Sequence, residues 1–437
     1  MVLNKKLYYF VLFLLLSLLQ YHGLDAQERK YGTLTKFSDM SADKPALSLQ
    51  ALVSIASPGD TIKLRPGIYT GPVVITTNNI VIDGSGVCTI DGLGNGTVVT
   101  IEADSVQIKN FLIINSGGSH DKINAGITLK GNYNIIENCR IKECLFGVDI
   151  FQSDYNKVLH TEITSLSRRE MALKGDAIRL WYSKHNLVKH NYWHHVRDMV
   201  VWYSLDNSFE ENMGLNNRYG IHFMYSHNNR IYKNELNGNS VGVFLMYSER
   251  TIMTENTIMN SQGVSGMCLG MKETSSNQIL NNRFIYSAEG IHFDVSPFVP
   301  EKINTIAYNE IAFCGSGMFF HNNQEGNLIK ENYFHNNLAQ VTAEGKTANG
   351  NIWTNNYFDD YQGFDLDRDN VGDTPYSLYT YVEHLWDFNK NVKFFYGAPI
   401  LVILDFLERL APFSQPKFVL RDNNPMFRWE EKMKTTN

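Results

Sequence analysis

The stretch Arg218-Tyr219-Gly220-Ile221-His222-Phe223-Met224-Tyr225-Ser226 decides the fold, because its core pattern returns along the chain. A glycine, a small apolar residue, any residue and an apolar residue recur in Gly126-Ile127-Thr128-Leu129, Gly147-Val148-Asp149-Ile150 and Gly242-Val243-Phe244-Leu245. The pattern continues in Gly266-Met267-Cys268-Leu269, Gly290-Ile291-His292-Phe293 and Gly317-Met318-Phe319-Phe320. The Tyr-Ser pairs beginning at Tyr182, Tyr203, Tyr225 and Tyr247 are spaced 21, 22 and 22 residues apart, a fixed period that marks a repeat architecture.

A second element keeps step with the first. Asn186 and Asn191 are followed by Asn207 and Asn212, then Asn229 and Asn234, and the same spacing recurs up to Asn351 and Asn356. Between the asparagines polarity alternates over short runs, as in strands. A period near 22 is too short for paired helices and lacks the leucine framework of leucine-rich repeats. Short strands cornered by Asn and Gly predict an all-β chain: a right-handed parallel β-helix, or solenoid, spanning residues 58–358. Each coil then pairs only with its neighbours, about 4.8 Å away. Ile127, Val148, Ile178, Ile221, Val243, Ile291 and Met318 form one inward column, and the corner asparagines are structural, tolerating left-handed backbone and hydrogen-bonding along the stack.

The ends differ. Lys5 and Lys6 precede an apolar run from Leu7 to Leu19, which reads as a secretory signal over residues 1–26. Residues 27–57 form an N-terminal segment whose short amphipathic helix, Leu47 to Ala56, covers the first coil. Residues 359–437 form a C-terminal acidic loop and docking tail, with a helix-like run from Ile400 to Leu410 between Pro399 and Pro412. The β-helix is expected to close upstream, so that residues 397–437 are dispensable for folding. A net charge of −6 with interspersed signs argues against nucleic acid as a partner. The five cysteines, an odd number without a CxxC pair, exclude a disulfide scaffold.

Aligning the repeats on their glycines turns two residues per coil outward. One outward column reads Arg179, Val200, His222, Phe244, Cys268, His292, Phe319; the other reads Trp181, Trp202, Met224, Met246, Gly270, Asp294, His321. Solvent-facing columns are ordinarily rich in Lys, Glu, Ser and Thr, whereas these carry thioethers, imidazoles and aromatic rings. Cu(I) prefers soft donors and accepts imidazole. His222, Met224 and Met246 are therefore the centre of a candidate copper site, with Cys268, His292, Asp294 and His321 continuing it and Trp181 and Trp202 as aromatic neighbours. Asp176 and Asp198, in adjacent coils, read mainly as corner residues and secondarily as a glycosidase-like carboxylate pair. Asp365, Asp367, Asp369 and Asp373 are spaced as in calcium loops, although Asn370 stands where glycine is expected and Tyr376 where a glutamate belongs.

The runs Gly175–Ser183 and Arg218–Ser226, the segment Asn356-Tyr357-Phe358-Asp359-Asp360-Tyr361, the Asp-rich loop ending Gly372-Asp373-Thr374-Pro375-Tyr376, and the tail Leu404–Phe413 together resemble the NosD family. That resemblance implies a periplasmic, non-enzymatic accessory role in assembling the copper sites of nitrous oxide reductase. Its implied partners are an inner-membrane ABC transporter, the reductase and a copper chaperone. The competing reading is an exported polysaccharide lyase or hydrolase, or a carbohydrate-binding β-helix. The outward columns offer one Arg, one Asp and no Lys, which disfavours uronate or glycoside chemistry.

Overall fold

A computed structural model describes residues 47–322, 325–344, 347–380, 398–410 and 416–429. The signal-like run and residues 27–46 lie outside these. Among the described residues the chain is a parallel β-helix, each coil built of short strands joined by tight corners. The coil that opens with Tyr219–Met224 continues through Arg230–Tyr232 and Glu235–Asn237 before Val241–Met246 begins the next. The glycine strands stack into one twelve-stranded parallel sheet, from Val73–Ile75 to Ala339–Ala343. The other strands of each coil form the remaining walls.

The apolar positions of the repeat fill the interior. Ile127 pairs with Val148 and Val148 with Ile178; beyond the bulge at Asp198, Ile221 pairs with Val243, and Ile291 with Met318. All seven are fully buried, so the inward column stands as expected. Burying each such side chain contributes about 1.5–3 kcal/mol.

The asparagines form ladders inside the corners. In one of them Asn191, Asn212, Asn234, Asn256, Asn282, Asn309, Asn332 and Asn356 follow one another, each Oδ1 accepting the backbone N–H of the preceding member at 2.8–3.1 Å. The left-handed residue is the one before each asparagine, as at Glu211, Lys233 and Glu255 (φ 52°, 53° and 57°). The ladder amides thus serve hydrogen bonding, satisfying buried backbone groups that water cannot reach, and the strained corner falls to an exposed neighbour.

Both ends of the coil stack are covered. The N-terminal helix is shorter than expected, Leu49–Val53, with the Ser48 hydroxyl capping it by accepting from the Ala51 N–H at 3.4 Å. Leu49 and Val53 are buried against the first coils. The C-terminal end corrects the sequence reading. Strand Tyr376–Thr380 pairs antiparallel with Lys417–Asp422, and Val419 and Leu420 are buried in the core. Asp422 Oδ2 accepts from both the backbone and side-chain nitrogens of Asn356, at 3.0 and 2.9 Å. Part of the tail therefore forms a lid on the last coil, where the β-helix was expected to close upstream. The helix Pro399–Leu410 lies between the two lid strands in sequence, with Ile400, Ile403, Leu404, Phe406 and Leu407 exposed. Among the described residues no helix is long and apolar enough to cross a membrane.

Candidate metal site

The twelve-stranded sheet presents its outward side chains in two columns. Arg179 pairs with Val200, Val200 with His222 and His222 with Phe244; beside them Trp181 pairs with Trp202, Trp202 with Met224 and Met224 with Met246. The candidate triad is thus placed as the sequence suggests. His222 and Met224 share a strand and a face, and Met246 stands directly opposite Met224, about 4.8 Å away along the stack.

His222 sits in an aromatic box. Tyr219 stacks on its imidazole at 4.8 Å between centroids, Trp202 meets it edge-on at 6.0 Å and Phe244 lies at 5.9 Å. Both ring nitrogens of His222 and the indole Nε1 of Trp202 are buried without a hydrogen-bond partner. Burial lowers the His222 pKa to about 4, with Asp198 opposing that shift and Arg218 adding to it, so the ring is neutral at ordinary pH. Orphaning a buried polar group costs about 1–3 kcal/mol. A neutral imidazole with an unclaimed lone pair, on a face that also carries the thioethers of Met224 and Met246, fits the donor preferences of Cu(I).

Beyond Met246 the glycine alignment fails. Val243 pairs with Leu269, Phe244 with Gly270 and Met246 with Lys272, so Gly242 is matched by Cys268 rather than by Gly266. Cys268 therefore points inward: it is fully buried, its thiol pushed well above the usual range by burial, and its Sγ contacts Ser287 Oγ at 2.9 Å. It is not a ligand of the outward face. Gly270 belongs to the first column, where the Phe244 ring lies across it: a Cβ there would come within 2.2 Å of that ring. The second column continues through Lys272 to Asp294, which are ion-paired at 2.6 Å. His292 and His321 are brought together on this face, but apart from His222. Two carboxylates unmarked in the sequence orient them: Glu289 lies 2.7 Å from His292 Nδ1 and Glu344 lies 2.7 Å from His321 Nδ1.

Asp176 and Asp198 are each gripped by arginine. Arg197 donates to both oxygens of Asp176, and Arg218 to both of Asp198. Both carboxylates are buried, as corner residues would be. In the Asp-rich loop, oxygens of Asp365, Asp367 and Asp369 lie within 4.8 Å of one another, and Asp365 Oδ1 is buried without a partner. Asp373 is turned to the loop's own backbone, accepting from the Leu366 N–H at 2.7 Å, which leaves the calcium expectation to the other three.

One feature of the face has no counterpart in the sequence reading. Asp149, directly opposite Arg179, is buried and receives a 2.8 Å hydrogen bond from it. The pair floors a cleft of about 270 Å³ that Thr128, Lys130 and the loop residues Asp121 and Lys122 also line. Arg179 was visible in its column; its partner one coil earlier was the available signal.

Stacked coils with an outward face of thioethers, imidazoles and aromatic rings define a parallel β-helix. Residues 161–363 match the family described as periplasmic copper-binding protein (NosD). A relative from Pseudomonas aeruginosa (strain PAO1), called probable ABC transporter binding protein NosD, is 28% identical over 166 residues, 38% of this chain. The match spans a third, 33%, of that relative's length. Among solved structures, an alginate lyase AlyF-OU02 complex is similar at 14% identity and a TM-score of 0.48, over 72% of this chain and 86% of that one. The A-module of the Azotobacter vinelandii mannuronan C-5 epimerase AlgE6 is similar at 13% identity and a TM-score of 0.47, over 69% and 92%.

Proposed function

We propose that this protein is an exported copper-handling accessory factor of the NosD type, which holds Cu(I) as cargo on His222, Met224 and Met246. In this reading it works with an inner-membrane ABC transporter, and receives copper from a chaperone, to supply the metal sites of nitrous oxide reductase. The observation that carries the proposal is the His222 imidazole: neutral, buried and unpartnered at both nitrogens, on the face where Met224 and Met246 pair with each other. The family description, which names copper and the periplasm, supports the cargo and the compartment. The relative's name supports the transporter partner. The exposed apolar face of Pro399–Leu410 is the surface proposed to meet that transporter.

The lyase, hydrolase or sugar-binding reading has less support. Asp176 and Asp198 are committed to arginines. Trp181 is packed under the Arg179 guanidinium at 4.7 Å and against Trp202 at 5.9 Å, so it does not offer an open platform for a sugar ring.

Anaerobic titration with Cu(I) against a chromogenic chelator tests the site. The wild-type chain is expected to take up Cu(I), and Met224→Leu/Met246→Leu to bind at least tenfold more weakly while keeping its far-UV circular dichroism. Unchanged affinity in the folded double variant overturns the assignment.

A further inference from the structure

The coils that precede the thioether columns carry the polar cleft. Its floor is the earlier run of the first outward column, where Thr100 pairs with Thr128, Thr128 with Asp149 and Asp149 with Arg179. These coils are longer than the regular ones, and the surplus stands out as loops 115–124 and 164–177. The loops hold each other: Arg169 Nη2 donates to the Gly118 carbonyl at 3.4 Å, and His120 Nε2 lies 3.2 Å from the Leu173 carbonyl oxygen. Ile123 and Leu166 pack on Ala125, Leu145 and Phe146, an apolar cluster separate from the main core. The first loop is thus a built wall. It puts Ile123 against the cleft at φ 47°, a backbone conformation that β-branched residues rarely take. Strained residues of this kind collect at ligand clamps.

The floor is short of partners. The side chains of Arg179 and Asp149 are 11% and 6% exposed, yet a single hydrogen bond joins them, from Nη1 to Oδ1 at 2.8 Å. Arg197 and Arg218, by contrast, each donate two to their aspartates. The Arg179 guanidinium is held over the Trp181 ring at 4.7 Å, and among the described residues its other N–H groups meet no acceptor. Among the same residues Asp149 Oδ2 and the hydroxyls of Thr100 and Thr128 also lack a partner. A guanidinium edge selects a planar carboxylate. A carboxylate oxygen beside hydroxyls selects the O–H groups of a ligand. Phe151 and Ile123 line the cleft as apolar walls for a carbon skeleton. The buried charge of Asp149 works against a dianion such as phosphate, and Lys122, Lys130 and Arg179 work against an amine. At about 270 Å³ the cleft takes only a small molecule.

We propose that this cleft binds a small hydroxycarboxylate, with its carboxylate on the free edge of Arg179 and its hydroxyls on Asp149, Thr100 and Thr128. The site is separate from the thioether face and rests on neither His222 nor the methionines.

Isothermal titration calorimetry of the full chain with D-gluconate and with D-glucuronate, an open-chain and a ring form of the class, tests it. At least one of the two is expected to bind at a single site with a Kd of about 1 mM or tighter. D-glucose, hexanoate and inorganic phosphate lack the carboxylate, the hydroxyls and the carbon skeleton in turn, and each should bind at least tenfold more weakly. Arg179→Lys keeps a cation for Asp149 but loses the planar fork, and is expected to weaken binding about tenfold. Thr128→Val removes one hydroxyl at nearly constant shape and is expected to weaken it about threefold. Met224→Leu/Met246→Leu is expected to leave the affinity unchanged. Failure of both acids to bind, parity with glucose, hexanoate or phosphate, or unchanged affinity in both folded cleft variants overturns the proposal.

Discussion

Asp176 and Asp198, one coil apart and both buried, share Arg197: its guanidinium donates to both oxygens of Asp176 at 3.0 and 3.2 Å, while its Nε lies 3.7 Å from Asp198 Oδ2. Burial, and then the charge of Asp198, raise the Asp176 pKa to about 7, with Arg197 opposing both. The two carboxylates tolerate each other because a cation sits between them.

Arg197→Met should therefore destabilise the fold by about 3–5 kcal/mol, the usual consequence of stripping one partner from a buried pair. Urea unfolding measures it. Adding Asp176→Asn to that variant should recover part of the loss, since it removes the stranded charge while Asp198 keeps Arg218.

Ile221→Asp should cost several kcal/mol, because it places an unpaired carboxylate in the fully buried inward column. A small shift in thermal midpoint would contradict the stacking of the column.

How much of this was readable beforehand follows from the same column. The glycine repeat gave the His222–Met224–Met246 placement because Ile221 to Val243 is one coil of the regular length, which keeps register. It failed at Cys268 because the coil after Gly242 is longer: residues 260–266 bulge out before the next strand, so Gly266 is not the counterpart of Gly242. The strict alternation of Leu269 and Met271, both buried, with Gly270 and Lys272 carried the right answer. The orienting roles of Glu289 and Glu344 could not be read, since they arise from a contact along one strand and one between coils. The closing role of Asp422 was hidden by its distance from Asn356 in the chain.

The low pKa of His222 makes a prediction about acid. An imidazole titrating near 6.5 would release copper as pH fell through that value, whereas one held at about 4 should keep its lone pair until pH approaches 4. Cu(I) affinity referred to His222 should stay flat from pH 7 to about 5. The stability sign is also fixed. The unfolded chain binds this proton first, so wild-type stability should fall as pH drops from 6.5 toward 4. His222→Phe should lack that component, and paired denaturant melts across this range would show it.

Replacing residues 399–410 with a short Gly/Ser linker should leave the thermal midpoint unchanged, because the lid strand Lys417–Asp422 is kept, but should abolish co-purification with the transporter. Removing residues 416–429 as well should unfold the last coils. Retained co-purification after the first change would move the docking surface elsewhere.

The asparagine ladder ends on a residue of a different kind. Every earlier member both donates and accepts, so each coil offers the next one the same socket. Asp422 only accepts, and it arrives on a strand that returns antiparallel. Another molecule's first coil meets no matching amide there. A carboxylate at the final rung thus acts as a stop codon written in hydrogen bonds, fixing the length of the rod and keeping separate molecules from polymerising end to end.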